Sequence, residues 1–325
     1  MPAEWERQSS IQLTWPHKDT DWAPILPEIT AVYETIAREI LKREDLIIVA
    51  PQGTNLPFST HNVHCPTNDT WARDHGFITV VEQDIPHSTV LLDFCFNGWG
   101  QKFEAALDNQ INRHLYDQGI VKGTYEPHLD FVLEGGSIES DGRGTIFTTA
   151  CCLLAPHRNQ PMTQQQIDDR LKQWLGAERI VWLHHGSLIG DDTDGHIDTL
   201  VRICPDDTLL YIAGDDEHPD LLEMEKELQT LRTIDGRPYR LLRLPLPRPI
   251  YETAQNDRLP ATYANYLVIN GAVLVPTYGQ PDLDAEAMHI IGQAFPDRDI
   301  VGIDCRPVIR QHGSLHCCTM QFPKY

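Results

Sequence analysis

Two periods of apolar positions alternate along the chain. Five segments place apolar residues at helical spacing, and a short turn then leads each into a run of β-forming residues. This pattern predicts five helix–strand pairs: residues 26–42 with 45–50 ("DLIIVA"), 101–116 with 119–124, 163–175 with 178–183, 217–232 with 239–244, and 283–295 with 299–304. The third helix is the most explicit. Thr163 and Gln166 form a capping-box pattern, Ile167, Leu171, Trp174 and Leu175 make one stripe, and Gly176 stands at the exit.

Between these pairs lie candidate hairpins. "YANYLVINGAVLVP" (263–276) centres on Asn270-Gly271, a dipeptide that favours a type I′ turn. "IDTLVRICPDDTLLYIAG" (197–214) turns at Pro205-Asp206-Asp207, and "FITVVEQDIPHSTVLLDF" (77–94) is a looser example. The repeating unit is therefore strand, strand, helix, strand. Its first copy lacks a hairpin of its own, but the strand "HCCTMQF" (316–322) is left over at the C-terminus and can pair beside "IQLTW" (11–15) to close a ring. The expectation is an α/β chain forming one domain over residues 1–325. A doubly wound sheet would need single strands between helices, which the hairpins oppose.

Composition narrows the class of function. With 47 acidic against 26 basic residues the formal charge is -21, which disfavours nucleic acid and anionic membranes as partners and suits a small cationic substrate. No secretory signal or membrane span is visible, so a cytoplasmic protein is expected. The eight cysteines include two adjacent pairs and no C-x-x-C, as for reduced thiols. A homo-oligomer is compatible with the sequence, which does not specify one. His61, His64 and Cys65, with His184 and His185, fit no common zinc pattern, so neither metal nor cofactor is expected.

The polar clusters fall at one place in the repeat. "NDTWARDHG" (68–76), "LEGGS" (133–137) and "DGHID" (194–198) each precede a hairpin, and "GSLHCC" (313–318) enters the closing strand. In a closed ring such positions meet at the axis, collecting Asp74, Glu134, His196, Asp198 and a cysteine at 317 or 318. His196 and Asp198, two apart, should share one face of a strand. Clustered carboxylates need a cation, and a planar guanidinium fits their geometry. A thiol can attack its central carbon while histidine handles the protons. Asp74 beside Arg73 could alternatively be a local ion pair.

These motifs, together with "MPAEWE…TWP", "FNGWGQKF" and "YANYLVINGAVLVPTYG", resemble the agmatine deiminase and Porphyromonas-type peptidylarginine deiminase family over almost the whole chain. The resemblance implies the pentein fold, a five-bladed α/β propeller, and a metal-free cysteine hydrolase converting a guanidino group to a ureido group and ammonia. It implies Cys317 as nucleophile, His196 as acid/base, Glu134 as the carboxylate orienting it, Asp74 and Asp198 as the guanidinium grip, and Trp71 as pocket wall. By strand alternation only one of the two adjacent cysteines can face the cavity, so Cys318 is then a core residue. Agmatine is the expected substrate and putrescine synthesis the implied pathway; peptidyl-arginine, free arginine or an amidinotransferase reaction are the alternatives. The surrounding carboxylates are expected to keep the free Cys317 a thiol. Gln311, His312 and Ser314 depart from the glycine pair and asparagine usual in relatives, which places the loop backbone there in question.

Overall fold

The computed structural model describes residues 1–82, 88–252 and 257–324. Its strands form five small sheets. Four repeat one design: an antiparallel hairpin, then a third strand parallel to the hairpin's second. The hairpins are Ile78–Val81 with Thr89–Cys95, Ile138–Ser140 with Thr145–Thr149, Val201–Cys204 with Thr208–Ile212, and Leu267–Ile269 with Ala272–Thr277. Their parallel third strands are Thr124–Val132, Arg179–Leu183, Arg240–Leu244 and Asp299–Asp304. A parallel neighbour requires a crossover, and the helical segments supply it. The fifth sheet joins the two ends of the chain: Thr319–Pro323 pairs antiparallel with Gln8–Thr14, beside which Asp45–Ala50 runs parallel. A further strand, His61–His64, extends this sheet.

Most predicted helices lie where their apolar stripes put them: Leu26–Leu41, Gln164–Leu175, Pro219–Thr230 and Pro281–Ala294. The third is closed by the expected capping box, with Gly176 left-handed at its exit (φ +65°); such a cap contributes roughly 1 kcal/mol. The second differs. Residues 101–116 are not one helix: a distorted turn at Gly98–Gln101 is followed by loop, and regular helix begins only at Ile111. Its strand begins only at Thr124, the last residue of the expected 119–124, and runs on to Val132. Trp99 and Gln101 both take positive φ there, a conformation that apolar spacing does not register.

The hairpin turns refine the expectations. Asn270 and Gly271 form a two-residue loop, but only Gly271 has positive φ, so the turn is not type I′. Asn270 is held instead by its side chain, which bonds both backbone groups of Gln8 and receives support from Glu44. At Pro205-Asp206-Asp207 the chain turns as expected, with both aspartates left-handed. The turn at 83–87 of the looser hairpin lies outside the described residues. Among the described residues no helix is long and apolar enough to cross a membrane.

Candidate active site

Each sheet is entered through one short irregular turn, and these turns carry the reactive side chains. Asp74 lies in the single turn Ala72–His75, Glu134 precedes the 3-10 turn Gly135–Ser137, and His196 and Asp198 sit at Ile197–Thr199. Cys317 lies in the 3-10 turn His316–Cys318. The chain before the fifth hairpin adds Asn265, whose Oδ1 lies 3.4 Å from Cys317 Sγ and accepts from His316 N at 3.0 Å. All five units therefore contribute.

The turns correct two steps of the sequence reasoning. His196 and Asp198 do not share the face of a strand, because the strand starts only at Val201; the 3-10 turn buries both. Likewise Cys317 and Cys318 are not alternate strand positions. Cys318 is buried in the apolar core, its thiol 3.4 Å from Ser314 O, so its assignment to the core stands for a different reason.

Gly136 marks where the cluster converges. A Cβ there would stand 2.6 Å from His196 Nδ1, 2.9 Å from Asp74 Oδ1 and 3.1 Å from Asp198 Oδ2. Only a residue without a side chain fits between the three. Asp74 is fixed by the Trp99 indole N–H at 2.9 Å and Gly136 N at 3.0 Å. It is not paired with Arg73, whose guanidinium faces Glu4 and the His316 carbonyl. Asp198 Oδ2 lies 2.7 Å from His316 Nδ1 and 4.0 Å from Cys317 Sγ. Three polar atoms here are buried without a hydrogen-bond partner: Asp198 Oδ1 and both ring nitrogens of His196. Groups so placed are costly unless something binds them.

Glu134 is fully buried, and its hydrogen bonds go to Arg158, whose Nε donates to both carboxylate oxygens at 3.0 and 3.2 Å. A carboxylate oxygen of Glu134, the Cys152 sulfur and a His196 nitrogen lie within 4.8 Å of one another. The proximity suits an orienting role, although no hydrogen bond joins Glu134 to His196 in this geometry. The guanidinium already occupying Glu134 also makes this trio a poor metal site.

A cavity of about 210 Å³ leads to the cluster. Cys317, Asp74, Trp71 and Trp99 border it, and Asp21, Asp69, Asp192, Gln311 and His312 extend it outward. Trp71 is thus placed on the cavity wall. It packs closely against Gly313 and donates its indole N–H to Asp69 Oδ2 at 3.0 Å. In the loop of departures His312 itself takes the left-handed conformation (φ +63°), its ring 2.7 Å from the Gly190 carbonyl oxygen. Ser314 bonds Tyr278 OH at 3.0 Å.

Burial, more than charge, raises the Cys317 thiol well above its ordinary range, with Asp198 and then Asp74 adding to it. The expected direction holds, but the ranking of causes differs. Burial also pushes the Asp74 carboxyl up, with Asp198 and Glu134 adding to this against His196. For Asp198 burial acts the same way, yet the hydrogen bond and charge of His316 outweigh it and hold this carboxyl below its usual range. The two adjacent carboxyls are therefore shifted in opposite directions, Asp74 upward and Asp198 downward.

Asn265, Trp99, Arg158 and His316 were not singled out in the sequence. Asn265 could have been found by the positional rule that located the others. Arg158 and Trp99 lie in irregular segments, where no period announces them.

The chain is similar to known proteins along almost its whole length. The chain belongs to the Porphyromonas-type peptidyl-arginine deiminase family, whose sequence profile matches residues 1–323. A candidate arginine deiminase from Porphyromonas gingivalis is 49% identical, with a TM-score of 0.91 over 99% of this chain and 97% of the other. A C. jejuni agmatine deiminase, solved as a cysteine-to-serine variant with substrate bound, is 36% identical, with a TM-score of 0.91 over 100% of this chain and 96% of the other. The agmatine deiminase of Medicago truncatula is 31% identical over 99% of this chain and 96% of its own.

Proposed function

We propose that this chain hydrolyses the guanidino group of agmatine, giving N-carbamoylputrescine and ammonia through a covalent intermediate on Cys317. The observation that carries this reading is the convergence of Asp74, Asp198 and His196 around Gly136, next to the Cys317 thiol. Asp74 and Asp198 grip the guanidinium, and Trp71 and Trp99 wall its approach. The cation offsets the carboxylates that oppose thiolate formation, so ionisation accompanies binding. The thiol proton passes to His196, the sulfur bonds to the central carbon, and His196 returns the proton to the nitrogen that leaves as ammonia. Water, deprotonated by His196, then attacks the S-alkylthiouronium carbon; the C–S bond breaks and the ureido product departs. Glu134 orients His196 throughout, within a single catalytic domain.

The choice of agmatine rests on the outer cavity. Among the described residues its lining contains Asp21, Asp69 and Asp192 and no lysine or arginine. A distal ammonium is attracted there, whereas the α-carboxylate of free arginine meets like charge. Burial pushes Asp69 up to about 6, so it is ionised at neutral pH and lost to binding as pH falls through that value. The P. gingivalis relative supports arginine as the second reading. Eight free cysteines accord with a reducing, cytoplasmic setting.

Ammonia release from agmatine, arginine and an arginine-containing peptide at neutral pH tests the choice. Like-charge opposition of a few kcal/mol predicts kcat/KM for agmatine at least about 100-fold above that for arginine. Faster turnover of arginine or of the peptide would overturn agmatine as substrate.

A further inference from the structure

His316 and Cys317 are neighbours in one 3-10 turn, yet they border different cavities. Cys317 lines the substrate cavity; His316 lines a smaller cleft with Glu4, Arg73 and Glu139. Its two ring nitrogens bridge the space between. Nδ1 lies 2.7 Å from Asp198 Oδ2, and Nε2 lies 2.6 Å from Glu4 Oε2. A neutral imidazole has one N–H and cannot donate to two carboxylates, whereas an imidazolium can. Glu4 is held as an anion by cations on several sides: Arg202 Nη2 donates to the same Oε2 at 2.8 Å, and Arg73 Nη2 stands 4.0 Å away. The close approach of Arg202 Nη2 to His316 Nε2, 3.2 Å, follows from both donating to one oxygen.

We propose that Glu4 and His316 form a buried clamp that positions Asp198: Glu4 keeps His316 doubly protonated, and His316 fixes Asp198 as an anion with Oδ1 turned free for the substrate. The pair are positioning residues, since neither touches the guanidinium, and the inference rests on the deiminase reading above. Four charged groups surround His316, namely Glu4, Asp198, Arg202 and Arg73, with Glu139 adjoining through its bond from Arg202 Nε at 2.5 Å. Asp198 Oδ1, buried without a partner, is the atom the clamp leaves for binding. The energetic logic is that an anion enclosed by apolar walls and other carboxylates stays ionised only with a cation in contact. Through this contact a residue at the very start of the described chain governs a group 194 positions later.

The pH dependence has a definite sign. Asp198 binds guanidinium only when ionised, so affinity is lost as pH falls through its folded pKa. Removing the clamp raises that pKa, and the acid limb of binding should move to higher pH. The test uses the full-length Cys317→Ala protein, in which agmatine binding is measured by calorimetry from pH 5 to 9, alone and combined with Glu4→Gln or His316→Asn. In the parent the acid limb seen from pH 5 is that of Asp69, at about 6; His316→Asn is expected to add a second loss that carries the limb upward, about tenfold or more at pH 6, and Glu4→Gln a smaller one. In the parent, nitrogen NMR at neutral pH should show both ring nitrogens of His316 protonated, as its two carboxylate contacts require, a reading that needs no clamp variant to fold. A neutral ring, or variants whose limb stays where the parent's is, would overturn the clamp alone. Failure of the parent enzyme to release ammonia from any guanidino compound would overturn the deiminase reading, and the clamp with it.

Discussion

With Cys317 replaced by alanine, ammonia release from agmatine should fall by at least about 10⁴-fold while agmatine binding persists. The expectation follows from the division of labour that the proposed mechanism assigns to the site. Binding belongs to Asp74 and Asp198, which other parts of the chain hold in place: Trp99 and Gly136 for the first, His316 for the second. Bond formation belongs to the sulfur alone. Losing the thiol should therefore affect kcat far more than affinity, because a thiol that burial keeps uncharged adds no charge to the grip on the cation. The check is paired: steady-state ammonia release for turnover, calorimetry for binding. Residual turnover within a factor of ten of the parent would show that another group is the nucleophile.

Replacing Arg158 by methionine should lower stability by about 3–5 kcal/mol, the cost of leaving one member of a buried ion pair uncompensated. Arg158 has no exposed side-chain surface, and it ties three groups together. Nε holds both oxygens of Glu134, Nη1 reaches Asp194 at 2.6 Å and Nη2 the Thr193 carbonyl at 2.8 Å. Through these bonds it joins the turn carrying Glu134 to the loop that ends at His196. Urea denaturation monitored by tryptophan fluorescence measures the effect, and a change below about 1 kcal/mol would mean that Glu134 finds another partner or a proton. The surviving folded protein should also be a poorer catalyst, since Glu134 and His196 lose their common support.

Both experiments bear on how much could be seen in the sequence. Regular elements were legible because burial imposes a period: the helices at 26–41, 164–175, 219–230 and 281–294 each need one apolar face, and their stripes declare it. The closing strand was legible because an unpaired β-run at each end of the chain leaves one economical solution. The segment 98–110 was not, since its shape depends on positive-φ residues and on Trp99 reaching across to Asp74. Asp74, Glu134, His196, Asp198 and a cysteine at 317 or 318 were brought together by their common place in the repeat, and the family resemblance chose Cys317, although the local geometry is one α-helical turn and a series of 3-10 turns rather than strand faces. Arg158, His316 and Glu4 escaped notice for a physical reason. Their roles consist of contacts between units, and 243 residues separate Arg73 from His316 as 312 separate Glu4 from it. Nothing periodic records a pairing at that distance.

The central claim is that the Cys317 sulfur bonds to the guanidinium carbon held between Asp74 and Asp198. Rapid acid quench of the enzyme during turnover of agmatine, followed by intact-mass and peptide analysis, tests it most directly. The account predicts an adduct equal to agmatine less ammonia, located on the peptide that contains Cys317 and absent from the Cys317→Ala protein. Turnover at full rate with no adduct at any quench time, or with an adduct on Cys318 or Cys152 instead, would contradict it.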